Sequence, residues 1–400
     1  MTQNAKSLLV LGSTGSIGES TLDVVHRNPG RFKVKGLVAA QNIDRLKQQC
    51  TLFKPDFIVI CNSVAFSQWH NQGYSQLLHN ELGYSPEIFG KSALNQLVQS
   101  SDVDCVMAAI VGSEGLSSSL AALQAGKTVY LANKESLVLG GQFMLEAQQL
   151  GQAQLLPVDS EHNAIYQCLP IDFENKKSSI TQLILTASGG PFRTRPLNTF
   201  HRISVQEAIA HPNWQMGKKI SVDSATMANK GLELIEAMWL FGLPAQKFSV
   251  LIHPQSIVHS LVEYADSSVL AQMGSPDMRT PIAHVMGLPD RIQSGSPRLK
   301  LEEIQTLTFE KPDLTRFPML RLAFDVLKDI TVAAPIYNAS NEMAVKFFLN
   351  NQLSYNNIHH LVEECLSRFS GYPVHCIDDA YSLDRIVREF VNHRVIKQAS

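Results

Sequence analysis

Short apolar runs recur through the first 150 residues and alternate with segments of helical or loop character. The runs lie at residues 8–11, 34–39, 57–60, 103–111 and 128–132. An alternation of short strands with helical segments is what a parallel sheet wound with helices requires. The pattern therefore predicts one α/β domain over residues 1–150.

A different pattern occupies the middle of the chain. Strands are predicted at residues 155–158, 180–186, 250–252, 258–262 and 269–273, with a helix at 225–241 among them. This mixture predicts a central α+β domain over residues 151–286. Residues 193–219 are polar and rich in Arg, Pro, His, Asn and Trp, so we expect a flap over a binding site.

The last third of the chain is predicted to be mainly helical. Residues 287–312 contain a run rich in Pro, Gly and Ser, which indicates a linker. Beyond it, apolar residues recur at helical spacing at 318–327, 339–349, 358–369 and 380–395. We therefore predict a C-terminal helical bundle over residues 313–400, and an α/β fold class for the chain as a whole.

Composition excludes several kinds of partner. The 400 residues are 44% hydrophobic and 18% charged, with a formal net charge of −2, so there is no basic field for nucleic acid. Six cysteines without a C-x-x-C pair are typical of reduced thiols. No apolar run approaches the ~18 residues of a membrane span. We expect a cytoplasmic protein that binds neither nucleic acid nor membrane.

A glycine-rich turn follows the first strand directly. Gly12, Gly15 and Gly18 precede residues 19–27, which continue with helical periodicity. Small residues allow the backbone to approach a pyrophosphate, and the free N–H groups at a helix start stabilise its charge. The turn favours a Rossmann-like dinucleotide site, although a plain strand–helix connection would have the same pattern.

The end of the second strand indicates which dinucleotide. Ala40, Gln41 and Asn42 stand where an NAD-selective site carries an acid against the ribose hydroxyls. Without that acid a 2′-phosphate would meet no repulsion, and Arg45 lies one turn further on as a partner for it. We therefore favour NADP over NAD.

A polar tripeptide follows the strand at 128–132. Carboxyl ends of strands line the ligand crevice in open α/β sheets, which would place Asn133 and Glu135 near a nicotinamide and Lys134 towards a substrate. The alternative is a helix start with a surface Lys–Glu pair.

Acidic residues suggest a metal site. If Val158 ends a strand, alternation turns Asp159 and Glu161 to the same side, where they would repel each other unless a cation lies between them. Glu233 supplies a third carboxylate from the helix at 225–241. Together they would give oxygen ligation suited to Mg²⁺ or Mn²⁺. A solvated strand end is the alternative for the first two acids.

The same helix carries Asn229 and Lys230 beside Glu233, opposite an apolar stripe that we expect to pack inward. With Ser188 and Ser224, these two residues would make a cradle for a phosphate monoester. Lys230 and Glu233 could instead be an ordinary surface pair at i, i+3.

These segments together resemble the 1-deoxy-D-xylulose-5-phosphate reductoisomerase family over nearly the whole chain. The motifs that carry the resemblance lie at residues 12–18, 132–136, 157–163, 188–192, 211–214, 221–227, 229–233 and 253–256. It implies NADPH- and metal-dependent rearrangement and reduction of 1-deoxy-D-xylulose 5-phosphate to 2-C-methyl-D-erythritol 4-phosphate. It also implies that the central domain is catalytic and that the enzyme is a homodimer.

The resemblance also implies roles for single residues. Asp159, Glu161 and Glu233 look like the metal ligands, and Lys134 and His211 look like catalytic residues that contact the substrate. The other substrate contacts implied are Ser160, Ser188, Trp214, Ser224, Asn229 and Lys230. The NADPH contacts implied are Thr14, Gly15, Ser16, Ile17, Ala40, Gln41, Asn42, Asn133, Glu135 and Gly217. Family members often carry Gly-Lys at positions 40 and 41, and a basic residue at position 210, where this chain has Ala40, Gln41 and Ala210.

Two other functions fit part of this pattern. One is a plain NADP-dependent dehydrogenase of a phosphorylated carbonyl substrate with a metal-binding accessory domain. The other is a regulatory protein that senses a nicotinamide, which would leave the acidic residues and the flap without a role. His253 and His259 lie beside strand-like runs and are interpreted as structural histidines.

Overall fold

The computed structural model describes residues 5–210 and 217–399. Contacts divide the chain into two compact units. The first comprises Met1–Ser136, Met144–Asp159 and Asp277–Pro297, and the second comprises Leu137–Phe143, Ser160–Pro276 and Arg298–Ser400. This division differs from the four successive segments predicted from the sequence. Residues 137–143 of the long helix at 134–151 belong to the second unit, whereas residues 277–297 belong to the first.

The first unit contains a seven-stranded parallel sheet, which confirms the predicted α/β class. Its strands are β1 (Lys6–Leu11), β2 (Phe32–Ala39), β3 (Phe57–Ile60), β4 (Glu87–Gly90), β5 (Cys105–Ala108), β6 (Thr128–Leu131) and β7 (Gln154–Pro157). The strand order is β4-β3-β2-β1-β5-β6-β7, so the sheet reverses its direction of growth beside β1. The short β4 was not predicted, and β5 is shorter than the run at 103–111.

Helices connect the strands of this unit. They are α1 (Ser16–Arg27), α2 (Ile43–Phe53), α3 (Ser63–Asn71), α4 (Tyr74–Leu82), α5 (Leu94–Val98), α6 (Leu116–Gln124) and α7 (Lys134–Gly151), with short 3₁₀ turns at Lys91–Ala93 and Ser113–Gly115. Strands β3 and β5 are buried throughout and β1 is buried from Leu8 to Leu11, as expected for a sheet covered on both faces.

Residues 277–297 pack on the first unit, although the sequence placed them in the catalytic domain and a linker. They contain helix α13 (Arg279–Gly287), which contacts α1 and β6. Arg279 pairs with Asp23 at 2.8 Å, and the Asn28 amide donates to the carbonyl of Gln293 at 2.8 Å. Polar side chains that bridge distant segments in this way hold the chain against α1, so it is not a free linker.

The second unit is built on a four-stranded mixed sheet. Its strands are β8 (Ile180–Ala187), β9 (Phe248–Ile252), β10 (Val258–Tyr264) and β11 (Val269–Met273), in the order β11-β10-β8-β9. Strands β8 and β9 are parallel, whereas β10 is antiparallel to both of its neighbours.

Helices cover this sheet and form the C-terminal bundle. They are α8 (Ser160–Cys168), α9 (Phe173–Lys176), α10 (Val205–Ile209), α11 (Lys218–Thr226), α12 (Ala228–Phe241), α14 (Leu301–Ile304), α15 (Pro318–Val326), α16 (Ile330–Leu349), α17 (Tyr355–Phe369) and α18 (Ile377–Ala399), with 3₁₀ turns at Lys177–Ser179, Leu197–Arg202 and Ala245–Lys247. The predicted helix at 225–241 is two helices, because Met227 has a left-handed backbone with φ 63°.

Helix α12 lies between two hydrophobic cores. Leu234 and Phe241 pack with the strands of the sheet, while Leu232 and Ile235 pack with the helices of the bundle. Because two faces of α12 are buried by apolar neighbours, the bundle shares its core with the central domain and does not form a separate one.

The predicted flap is partly folded into that core. Phe200, Ile203 and Ala208 are buried against the helices of the bundle, and α11 begins at Lys218. Because these three apolar side chains are buried, residues 193–210 pack into the core of the bundle. This differs from the polar flap that the sequence predicted. Among residues 5–210 and 217–399, no helix is long and apolar enough to cross a membrane.

Candidate active site

The glycine turn after β1 has no room for side chains at two positions. Gly12 has φ 76°, and a Cβ there would lie 2.5 Å from the carbonyl oxygen of Ala109. A Cβ at Gly18 would lie 2.4 Å from the carbonyl oxygens of Gly12 and Ser13. The turn therefore packs against the end of β5, at the point where the sheet changes direction, which is where open α/β sheets bind ligands.

Helix α1 begins directly after this turn. Gly15 is its N-cap and, having no side chain, leaves the first-turn N–H groups for another acceptor. Together with the dipole of this 12-residue helix, these groups favour an anion. The predicted cofactor contacts Thr14, Ser16 and Ile17 lie on this turn and the helix start.

Arg45, which the sequence offered as a partner for a 2′-phosphate, is held by Glu19 of α1. Its Nε and Nη2 atoms lie 2.7 and 2.5 Å from the two oxygens of that carboxylate, and its Nη1 donates to Gln48 at 2.7 Å. Asn42 caps α2 by accepting from the backbone N–H of Arg45, whereas Ala40 and Gln41 are exposed. A 2′-phosphate at Arg45 would have to compete with Glu19.

The tripeptide after β6 is a helix start, but its side chains are not a surface pair. Asn133 caps α7 by accepting from Ser136 N at 3.2 Å and donates to the carbonyl of Gly112 at 2.9 Å. Lys134 pairs with Asp159 at 2.6 Å, and their side chains are only 11% and 18% exposed. Glu135 is buried as well. The alternative interpretation, in which Lys134 and Glu135 form a surface pair, is therefore wrong.

The first two acids adopt a different geometry from the one predicted. Strand β7 ends at Pro157 and α8 begins at Ser160, so Asp159 precedes a helix and Glu161 lies in its first turn. Carboxylates are favourable at such a position because of the helix dipole. Ser160 donates to Glu161 at 2.6 Å, so this serine orients the neighbouring acid.

The polar face of α12 is buried rather than exposed. Lys230 and Glu233 are 3% and 1% exposed, which excludes the surface-pair interpretation. Lys230 donates to Glu161 at 2.7 Å and also to Glu233, which accepts from the amide of Asn229 as well. Burial lowers the pKa of Lys230, but the charges of Glu161 and Glu233 outweigh it and raise that pKa overall. Lys230 therefore stays protonated between the two acids.

Three carboxylates converge at this point. One oxygen from each of Asp159, Glu161 and Glu233 lies within 4.8 Å of the other two. We name these residues the acidic cluster. Its donors are all carboxylate oxygens, which suit a hard divalent cation such as Mg²⁺ or Mn²⁺. The residues present thus fit the metal that the sequence predicted.

Two further residues beside the cluster were not predicted. His162 and Glu236 are 0% and 1% exposed, and His162 Nδ1 lies 3.4 Å from the Glu236 carboxylate. The other ring nitrogen of His162 contacts the backbone carbonyl of Glu233 at 2.8 Å. A signal was available in the sequence, since His162 follows Asp159 and Glu236 follows Glu233 by three residues. His162 thus contacts the backbone that carries Glu233, and Glu236 lies against His162.

Two of the segments that carry the predicted phosphate cradle are in close backbone contact. Gly190 has φ 62°, and a Cβ there would lie 2.8 Å from the carbonyl oxygen of Ser224. The Ser188 hydroxyl accepts from Gly190 N at 3.1 Å within the same loop. Because Met227 turns the chain between α11 and α12, Ser224 lies in the last turn of one helix and Asn229 in the first turn of the next.

The remaining predicted residues are two histidines of the second unit and three residues of the predicted flap. His253 contacts the carbonyl of Thr308 at 2.9 Å and stacks on Phe309, so its role is structural. Burial lowers the pKa of His259, which is neutral at pH 7. His211 and Trp214 lie outside the described residues, and Gly217 is the N-cap of α11.

Three family models match the chain. The model described as 1-deoxy-D-xylulose 5-phosphate reductoisomerase matches residues 8–141, the model for the C-terminal domain of that enzyme matches 155–241, and the DXP reductoisomerase C-terminal domain matches 273–390. The chain belongs to the 1-deoxy-D-xylulose 5-phosphate reductoisomerase family. This confirms the resemblance found in the sequence.

Individual reductoisomerases match over nearly full length. That of Janthinobacterium sp. (strain Marseille) is 47% identical over 97% of this chain and 98% of its own length, and that of Cupriavidus metallidurans is 50% identical over 95% and 96%. A crystal structure of DOX-P reductoisomerase in complex with NADPH, fosmidomycin and magnesium is 40% identical over 99% of both chains, with a TM-score of 0.91. The Zymomonas mobilis enzyme in complex with NADPH is 40% identical over 98% of this chain and 99% of its own, with a TM-score of 0.89.

Proposed function

We propose that this chain rearranges and reduces 1-deoxy-D-xylulose 5-phosphate to 2-C-methyl-D-erythritol 4-phosphate, using NADPH and a divalent cation. As a member of the reductoisomerase family, it is an NADPH-dependent oxidoreductase of isoprenoid biosynthesis. The observation that carries the assignment of the site is the convergence of Asp159, Glu161 and Glu233.

The acidic cluster would hold the cation. Bound there, Mg²⁺ or Mn²⁺ supplies Lewis acidity to the oxygens of a carbonyl and a neighbouring hydroxyl. The chain itself supplies a positive charge beside the carboxylates, because the protonated Lys230 lies between Glu161 and Glu233. Lys134 places a second positive charge beside Asp159, at 2.6 Å.

The substrate phosphate would lie in the cradle. Ser188, Ser224 and Asn229 offer neutral donors, and Lys230 offers a charged one. A phosphate held beside Lys230 would set the distance between the phosphate end of the substrate and the acidic cluster. We assign His211 and Trp214 as substrate contacts, as the family resemblance implies.

NADPH, which supplies the hydride, would lie with its pyrophosphate at Thr14, Gly15, Ser16 and Ile17. Ala40, Gln41 and Asn42 would face the ribose end, and we assign Asn133, Glu135 and Gly217 to the remainder of the cofactor. Since Ala40 and Gln41 are exposed and carry no charge, they leave space for a 2′-phosphate without repelling it.

The direct test is NADPH oxidation with 1-deoxy-D-xylulose 5-phosphate. We expect oxidation that requires Mg²⁺ or Mn²⁺, a branched product skeleton, and a lower KM for NADPH than for NADH. Reduction without rearrangement would support the plain dehydrogenase. Bound NADPH that is never oxidised would support a sensor.

The glycine turn gives a second test. Gly18→Ala would place a methyl group against two backbone carbonyls, so the turn must open and the Kd for NADPH should rise by at least about tenfold, or about 1.4 kcal/mol. Gly90→Ala is the matched control, because that position has open space and an ordinary φ of −87°. Fluorescence titration measures both, and equal Kd values would contradict the assigned pyrophosphate site.

A homodimer in the cytoplasm is part of the proposal. Strand β11 lies at the edge of its sheet and exposes three apolar side chains, those of Val269, Leu270 and Met273. An exposed apolar edge strand is a common association surface. The six cysteines are free thiols, in keeping with a reducing compartment. Sedimentation analysis checks the assembly.

A further inference from the structure

A cavity of about 250 Å³ lies in the second unit, and no residue of the acidic cluster or the phosphate cradle lines it. Its walls come from the 3₁₀ turn Leu197–Arg202, the loop before α15, and the first turns of α15 and α17. The volume corresponds to roughly eight water molecules at liquid density, which is enough for a small organic molecule. Nothing in the proposed function uses this space.

The cavity has a positive electrostatic character from three sources. Arg316 lines it, and both α15 and α17 begin at its wall, with Pro318 and Tyr355 as their first residues. These helices contain 9 and 15 residues, and the N-terminal turns of helices favour anions through the helix dipole and free N–H groups, although Pro318 itself has no N–H. None of the described lining residues is acidic. Asp313 lies 3.8 Å from Arg316 Nε, but its side chain is 48% exposed and is not part of the wall.

The rest of the lining is of two kinds. Phe200, Met319 and Ile358 are buried apolar side chains that form one part of it. Asn356 and His360 add hydrogen-bonding groups near the start of α17. A charged wall beside an apolar one suits a ligand with an oxyanion at one end and a short hydrocarbon at the other.

We propose that this cavity binds a phosphate monoester with a short hydrocarbon chain. The oxyanion lies at Arg316 and the two helix starts, and the hydrocarbon lies on Phe200, Met319 and Ile358.

The position of the cavity connects it to the substrate phosphate. Arg316 donates to the backbone carbonyl of Phe192 at 3.1 Å and to that of Arg195, in the segment that follows the Ser188 loop. Thr226, which also lines the cavity, lies two residues beyond Ser224 on α11. An occupant would thus contact both chain segments that carry the serines of the cradle.

Calorimetric titration of the full chain with n-butyl phosphate tests the proposal. NADPH, Mg²⁺ and excess 2-C-methyl-D-erythritol 4-phosphate are present, so that the product fills the cradle. We expect n-butyl phosphate to bind at least about tenfold more tightly than 1-butanol, which lacks the anion, and more tightly than inorganic phosphate, which lacks the hydrocarbon. Asn356→Asp should weaken its binding by at least about tenfold, because it adds a like charge to the wall.

Asn357→Asp is the matched control. It places the same charge in the first turn of α17, where a carboxylate favours the helix, but position 357 is exposed and does not line the cavity. We expect wild-type affinity from it. Equal affinities in the two variants, no binding of n-butyl phosphate to the wild type, or equally tight binding of 1-butanol would each overturn the proposal.

Discussion

Glu233→Gln should abolish turnover while the enzyme still binds NADPH. The substitution keeps the size of the side chain but removes the charge of one of three carboxylates that converge within 4.8 Å. Loss of a residue that only supports a metal ligand typically costs about 10–100-fold in affinity or activity, so loss of a ligand charge should cost more. Steady-state turnover over a range of Mn²⁺ concentrations measures the effect.

The control for this variant is Glu302→Gln. Glu302 is an exposed acid of α14, so the same chemical change there should leave turnover unaltered. NADPH affinity, measured by fluorescence titration, should match the wild type in both variants. A Glu233→Gln enzyme with normal turnover at low Mn²⁺ would remove this residue from the metal site.

Lys230→Met should destabilise the protein strongly when no metal is present. The lysine is buried and lies between Glu161 and Glu233, so its removal leaves two neighbouring carboxylates without their cation. Removing one partner from a buried ion pair typically costs about 3–5 kcal/mol of unfolding free energy. Because Mn²⁺ would supply the missing positive charge, it should restore much of that loss. Urea denaturation with and without Mn²⁺ measures both effects.

Lys218→Met provides the comparison, because Lys218 is an exposed lysine in the first turn of α11. Its replacement should change the unfolding free energy little, with or without the metal. A Lys230→Met protein whose stability does not respond to Mn²⁺ would contradict the placement of the cation beside Glu161 and Glu233.

The difference between local and distant interactions explains where the sequence-based predictions held. Strands β1, β2 and β3 were predicted within two residues at each end, because their apolar runs and flanking turns are local features. The division of the chain was not predictable in the same way. Residues 277–297 pack on α1 through Arg279 and Asn28, whose partners lie more than 200 positions away in the sequence.

The amino-acid sequence by itself determined the chemistry available to this protein: a glycine turn between a strand and a helix, and acids, amide and lysine in motifs that identify the family. The tertiary structure alone decided that Glu161 and Glu233 meet around a buried Lys230. Helix α12 is buried on two faces by the sheet and the bundle, and this packing turns its remaining polar face to α8. Periodicity describes one segment at a time, whereas the burial of a charge depends on every element packed around it.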